Sequence, residues 1–236
     1  MSSDFLAYAV PVLWHGLQLT VLVTVLGIAL ALFTAFVAGL GRLSEHAVVR
    51  GISVFFIEVF RGTSLVVQLF FFYFALPAFG VQLSPLFAGV LAIGLNEGAY
   101  AAEIVRGAIV SRTAGQNEAC IALSMGKSLR MRRVLIPQSV PAMLPPFGNV
   151  MVDTLKNSSL VSFIGVSELT FRGEFIRNAF GETLTVYLTL LVLYFILSQL
   201  LALLSRWLER RFAIDRPSRS IFRGAGMRPA TEGVTP

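Results

Sequence analysis

Two groups of polar side chains interrupt long apolar runs in this 236-residue chain. An ionisable group at membrane depth is costly unless it faces a partner or water, so each group is a candidate binding site. The residues concerned are Asn96, Glu97 and Tyr100 in one run, and Asp153, Lys156 and Asn157 in another. Together their charges suit a small zwitterionic solute held between subunits. The alternative is a structural ion pair, because Asp153 and Lys156 lie three residues apart on one helix face.

Enzymatic and metal chemistry are not indicated by the sequence. One cysteine, Cys120, and two histidines provide neither a disulfide framework nor a metal cluster. The run Gly126-Lys127-Ser128 looks like the end of a phosphate-binding loop, but the glycine required five positions earlier is Ile121. We therefore predict a non-enzymatic chain with no catalytic residues, cofactor or metal.

The composition is that of a membrane protein. Hydrophobic residues make up 56% of the chain and charged residues 14%, whereas soluble domains carry about 25% charged residues. A net charge of +6 could indicate nucleic-acid binding, but the basic residues flank the apolar runs. Orientation in the bilayer explains them more simply.

The apolar runs predict an all-α polytopic membrane protein with about five spans. Crossing the hydrocarbon core takes about 20 apolar residues. Between these spans we predict an interfacial helix over 52–60 and a charged loop over 167–182 with no excess of basic residues. The predicted spans are residues 12–40, 63–79, 86–105, 146–166 and 183–204.

Small residues recur every four positions along the first predicted span, at Gly27, Ala31, Ala35 and Gly39. The third span repeats the pattern at positions 94, 98 and 102. This spacing favours close helix–helix packing. The alternative is a general enrichment in small residues with no packing role.

The distribution of arginine and lysine predicts the topology. Basic residues concentrate in the first loop, in a long loop over about 107–145 and in the tail, so the N-terminus is predicted outside and the C-terminus in the cytoplasm. We expect a transmembrane domain over 12–212 in the cell membrane. The tail over 213–236 is basic and is expected to be disordered in the cytoplasm.

The long loop contains two short predicted helices, Gln116–Leu123 and Ser128–Leu135. The second is expected to end at Ile136, because Pro137 follows it. Such a helix–turn–helix could dock on a soluble partner. Alternatively, it could lie on anionic lipid as an amphipathic segment.

The loop resembles the EAA motif of permease subunits of binding-protein-dependent ABC importers, polar amino acid branch. The motif is carried by Glu118-Ala119-Cys120, with Ser124 where the family usually has glycine. Further matches lie outside the loop, and the resemblance covers residues 16–212. They are Phe60-Arg61-Gly62-Thr63-Ser64, Gln68-Leu69, Asn96, Ala99-Tyr100, Glu103, Arg106-Gly107, Pro137-Gln138, Pro145, Asn149, Leu155-Lys156, Ser159-Leu160-Val161-Ser162 and Glu168-Leu169.

This resemblance implies a type I importer permease fold (MetI-like), paired with a second permease, which is expected to be a homologue. It also implies separate ABC ATPase subunits that hydrolyse ATP and an extracytoplasmic solute-binding protein. Serine at 124 weakens the case for a positive φ in the loop's turn, and Gly126 is the alternative position. The residues implied for the ATPase-coupling loop are Gly115, Glu118, Ala119, Cys120, Ala122, Leu123, Ser124, Met125 and Gly126.

The transported solute is predicted from finer likenesses. Four features look most like permeases for ectoine and hydroxyectoine, which favours a compatible solute: Ser64 and the runs Ala92–Tyr100, Arg130–Arg133 and Ala142–Pro146. The alternative is a polar amino acid such as glutamine, glutamate, histidine or arginine. Two other classes of protein are a secondary transporter acting without an ATPase, which should show internal repeats, and a membrane scaffold that carries no solute.

Overall fold

The computed structural model describes residues 3–111 and 113–212, and in this part of the chain all regular structure is helical. The prediction of an all-α protein is confirmed. The helices are α1 (Ser3–Arg42), α2 (Ala47–Gly62), α3 (Leu65–Phe70), α4 (Pro85–Val110), α5 (Thr113–Ala122), α6 (Lys127–Arg130), α7 (Ile136–Asn157), α8 (Leu169–Phe180) and α9 (Thr183–Phe212). Arg112 and the predicted basic tail over 213–236 lie outside the described residues.

Two of the described helices are long and apolar enough to cross a membrane unbroken, over Ala7–Arg42 and Thr183–Phe212. Helix α2 and the segment Leu65–Phe79 are together apolar enough for a third span. That span would be broken, since the two parts are bent by 105° at a short break. The predicted interfacial helix over 52–60 is therefore part of the longer α2, which leads directly into that segment. The remaining two predicted spans fall on α4 and α7, which carry charged residues.

Helices α1 and α4 pack closely, as the spacing of small residues predicts. A Cβ atom built on Gly39 would lie 2.8 Å from the backbone oxygen of Ala102, and one on Gly98 would collide with the Thr34 hydroxyl. Ala31 and Ala35 are fully buried in the same contact. Small side chains thus allow the two backbones to approach each other.

The chain runs through Pro137 as a helix, so the prediction that a helix ends at Ile136 is wrong. A π-turn over Met131–Leu135 joins α6 to α7. The helix that contains the predicted fourth span, α7, begins at Ile136, ten residues before the predicted start at Pro146. A proline ring clashes with the carbonyl four residues earlier in a regular α-helix, and a widened turn relieves that clash. A second π-turn, Phe71–Ala75, precedes Pro77 in the same way.

The loop predicted over 167–182 contains a helix, α8, that no apolar run in the sequence indicates. The Glu168 carboxylate caps its start by accepting hydrogen bonds from the backbone N–H groups of Thr170 and Phe171, at 2.9 and 3.0 Å. Gly181 ends it with a φ of 72°. The charged residues of α8 hide this helix from an analysis based on apolar runs.

The fourth predicted span ends in tighter backbone than an α-helix. After Asn157 the chain continues as a 3₁₀-helix over Ser158–Ile164 and turns at Gly165, which has a φ of 83°. Val161 and Ile164 are buried here, in a core shared with Val23 and Ile93. The 3₁₀ segment therefore packs against the α1–α4 pair.

Candidate functional site

The turn of the predicted coupling loop is a Schellman motif that ends α5. The backbone N–H of Met125 donates to the Cys120 carbonyl at 3.0 Å, and the N–H of Ser124 donates to the Ile121 carbonyl at 2.8 Å. Ser124 adopts a φ of 54°, whereas Gly126 has an ordinary φ of −61°. The turn therefore does use a positive φ, and it does so at the serine rather than at Gly126.

We expect Ser124→Gly to stabilise the loop without impairing transport. A left-handed conformation costs a non-glycine residue roughly 1–2 kcal/mol, while glycine adopts it freely. Thermal unfolding of the purified permease measures the gain, and Ser124→Val should shift the midpoint in the opposite direction. A midpoint unchanged by both substitutions would contradict a strained turn.

The predicted coupling loop exposes apolar side chains. Ile121 is 58% exposed and Leu123 is 74% exposed, whereas Cys120 on the inner face is only 4% exposed. Glu118, Ala119 and Ala122 are exposed as well. Exposed apolar groups beside a charged one are typical of a surface that contacts another protein.

An ion pair connects this loop to the corner between α1 and α2. The Lys127 ammonium group, three residues after the Ser124 turn, contacts the Glu45 carboxylate, and both side chains are exposed. The hydrogen bond and the charge of Lys127 lower the pKa of Glu45. The pair therefore links the loop's second piece to the first connecting loop by an exposed, solvent-screened contact.

We expect Lys127→Gln to raise the pKa of Glu45 towards its ordinary value. Because the folded pKa is the depressed one, the contact is fully present above the ordinary pKa and is lost as the pH falls through the folded value. NMR titration of a labelled Glu45 side chain measures the shift. Raising the salt concentration should reproduce part of it, since exposed charges are screened. An unchanged pKa in Lys127→Gln would contradict the ion pair.

The polar residues of the spans are not all joined in one hydrogen-bond network. The Asn157 amide donates to the buried Glu97 carboxylate at 2.7 Å, which joins α7 to α4. Asp153 and Lys156 approach within 3.7 Å of each other, with more than half of each side chain exposed. The structural ion pair considered as the alternative is therefore present, although both groups remain accessible to a solute.

Asn96 and Tyr100 face a different element, the break between α2 and α3. The Asn96 amide donates to the Phe60 carbonyl at 2.9 Å and to Gln68 Oε1 at 3.2 Å. The Tyr100 hydroxyl donates to the Arg61 carbonyl at 3.4 Å, and the Arg61 guanidinium lies 5.3 Å from the Tyr100 ring centre. The predicted pathway residues of α4 thus face two neighbours.

Two further polar contacts lie outside the predicted site. At one end of α4, Glu103 binds Arg42 of α1 and Arg106, the latter at 2.9 Å. Beyond the other end, the buried Glu168 carboxylate accepts from the Tyr194 hydroxyl at 2.7 Å and from the Thr20 hydroxyl at 3.3 Å. The sequence signal for Glu168 was only a motif match, because its partners in α1 and α9 are distant along the chain.

Comparison with known proteins assigns the chain to a family. The model of the family described as "Binding-protein-dependent transport system inner membrane component" matches residues 25–214. The chain belongs to this family. It is accordingly a permease of an ABC importer and a multi-pass inner membrane protein, as its resemblances and apolar helices predict.

Individual relatives match almost the whole permease. A probable amino-acid ABC transporter permease of Sinorhizobium fredii is 42% identical over 215 residues, which is 89% of this chain and 90% of the relative. The glutamine transport system permease of Escherichia coli is 39% identical over 87% of this chain and 95% of its own. A solved amino acid ABC transporter, crystallised with histidines, superposes with a TM-score of 0.81 at 34% identity, covering 89% of this chain and all of that one.

Proposed function

We propose that this permease imports a polar amino acid, delivered by an extracytoplasmic binding protein and driven by separate ABC ATPase subunits. Support comes from relatives whose names specify amino-acid transport. The observation that carries the mechanism is the coupling loop, in which an exposed helix ends in a Schellman turn. Residues 118–124 present one carboxylate and two large apolar side chains to a partner.

The coupling step follows from the geometry of the loop. An ATPase groove that holds Ile121 and Leu123 moves α5 when the ATPase dimer closes. The Schellman turn sets the angle between the two pieces of the loop, and the Glu45–Lys127 pair links the second piece to the corner between α1 and α2. That motion reaches the spans through the π-turn and α7, which continue the chain without an intervening loop.

Glutamine is the first solute to test. The Escherichia coli relative is a glutamine permease, and the solved transporter was crystallised with histidines. None of the relatives named here is an ectoine permease, so the alternative of an amino acid takes precedence over the predicted compatible solute. A zwitterion is accommodated by the opposite charges in the spans, with its ammonium group near Glu97 or Asp153 and its carboxylate near Lys156.

Solute-stimulated ATP hydrolysis tests this proposal. The assembled importer, in lipid nanodiscs with its binding protein, is assayed with glutamine, glutamate, histidine, arginine and ectoine in turn. We expect one of the amino acids to raise hydrolysis severalfold, with ectoine ineffective. Stimulation by ectoine alone would overturn the assignment of the solute, and no stimulation by any of them would overturn amino-acid import.

A homologous second permease remains part of the proposal, because polar groups in α4 and α7 need a partner or water at membrane depth. Asp153 and Lys156 are exposed in the single chain. A paired subunit facing them encloses a pathway that neither subunit forms alone. Native mass spectrometry of the purified importer tests whether the second permease is a different chain. Two distinct permease masses are expected, and two copies of this chain would contradict a heterodimer.

A further inference from the structure

The break between α2 and α3 leaves backbone groups without their helical partners. The last carbonyls of a helix have no intrahelical donor, and a bend of 105° removes any prospect of continuing the ladder. Non-helical backbone at membrane depth requires other donors or water. The carbonyls at issue are those of residues 59–63.

Side chains replace the missing donors almost one for one. The Thr63 hydroxyl donates to the Val59 carbonyl at 2.7 Å, and Tyr100 donates to that of Arg61. The Phe60 carbonyl accepts two amides, from Gln68 and Asn96, each at 2.9 Å. The break is therefore an organised structure held from both α3 and α4.

All side-chain N–H groups of Gln68 and Asn96 donate hydrogen bonds within the break between α2 and α3. Gln68 Nε2 donates to the Phe60 carbonyl, to Thr63 Oγ1 at 2.6 Å and, more weakly, to the Thr63 carbonyl at 3.3 Å. Asn96 Nδ2 uses its two hydrogens on the Phe60 carbonyl and on Gln68 Oε1. Both residues are more than nine-tenths buried. An amide in this state has no N–H group left for a solute.

The segment that the two amides hold is exposed. Arg61, Gly62, Thr63 and Ser64 are all exposed, and they lie beside Asn96, which is 11 residues into the 26-residue helix α4. Irregular backbone and an arginine at that depth do not face lipid, so they face water or a second subunit. The exposed segment Arg61–Ser64 is thus positioned by the amides of Gln68 and Asn96, which are themselves buried.

We propose that Gln68 and Asn96 form an amide clamp that positions the segment Arg61–Ser64 on the solute pathway. Asn96 is then a positioning residue rather than a solute ligand. This inference rests on the proposed function, since it assumes that the exposed segment lines the pathway of an importer. It assigns to Asn96, a candidate residue of the predicted solute site, a role that needs no contact with solute.

The test compares Gln68→Leu, Asn96→Leu and their double variant in the assembled importer. Gln18→Leu is the matched control, because Gln18 is exposed on α1 and its side chain makes no hydrogen bond with the residues that the structure describes. Basal and solute-stimulated ATP hydrolysis are measured per assembled complex. A cysteine probe, Ser64→Cys in a Cys120→Ala background, reports the position of the break by its reaction rate with a water-soluble thiol reagent.

The clamp predicts at least a tenfold loss of solute stimulation in each single variant, with basal hydrolysis within twofold of the parent. The thiol reaction rate should change at least fivefold. Because the amides share an acceptor and bond to each other, the double variant should be no worse than the more impaired single one. Effects that multiply in the double variant, or match Gln18→Leu, would overturn the clamp, as would an altered ranking of solutes in Asn96→Leu.

A milder variant, Thr63→Val, tests the amide clamp if the leucine variants do not assemble. Thr63→Val removes one exposed acceptor of Gln68 and should change the thiol reaction rate about threefold, and an unchanged rate overturns the proposal. The thiol rate is independent of import. If the parent complex responds to no solute, the proposed function fails while the clamp is still tested.

Discussion

Replacing Gly98 with valine should prevent the permease from assembling. A Cβ atom at this position collides with the Thr34 hydroxyl and lies 3.1 Å from the Ala31 backbone oxygen. The second of these is backbone, so α1 and α4 must separate along their contact. Overpacking commonly costs about 1–3 kcal/mol, and a forced separation of two helix backbones belongs at or above the top of that range. We expect at least tenfold less monodisperse protein after size-exclusion chromatography.

Gly107→Val is the matched control for this prediction. Gly107 lies on the same helix, and a Cβ atom built there meets nothing within 4 Å. The two variants share the same change in helix propensity and hydrophobicity. Equal yields of both would show that the α1–α4 contact is looser than the structure indicates.

Replacing Glu118 with alanine should abolish ATP-driven import while the permease still inserts and folds. The side chain is exposed on α5 and makes no ion pair with the described residues, so its loss costs the single chain little. Truncating one partner of a buried, hydrogen-bonded charge pair at an interface costs about 2–5 kcal/mol of binding free energy. We expect at least a tenfold loss of uptake, together with weaker co-purification of the ATPase.

Gln116→Ala controls for the general effect of alanine on α5. Gln116 is also exposed and lies two residues away, on a different face of the same helix. Its uptake should stay within twofold of the parent. Unchanged uptake in Glu118→Ala would remove the coupling role from this residue, whereas equal losses in both variants would assign the effect to the helix rather than to its carboxylate.

Local patterns in the sequence predict several features of this structure. The repeat of small residues predicts the α1–α4 contact, because close approach depends on residue size at fixed spacing. The polar loop with a stop near residues 124–126 predicts α5 and its turn. In both cases the residues that determine the structure are neighbours in the chain or on one helix face.

Features that depend on distant partners could not be predicted. Gln68 and Asn96 are 28 residues apart, and neither carries a signal that identifies the other. Helix α8 was missed for a different reason: its cap, Glu168, and its end, Gly181, are short-range signals, but the charged residues between them leave no apolar run to indicate a helix. The helix end predicted at Ile136 was wrong because the rule for residues before proline assumes regular α-helical geometry. The chain has a π-turn before Pro137 instead.

ATP-driven accumulation of an amino acid tests the central claim most directly. The permease pair and ATPase are reconstituted into liposomes with ATP inside and with the binding protein and labelled glutamine outside, oriented so that the coupling loop faces the lumen. We predict accumulation against the gradient that stops when ATP is replaced by a non-hydrolysable analogue, with the other polar amino acids tested if glutamine is not taken up. Accumulation by the permease alone, without ATPase or ATP, would contradict the account.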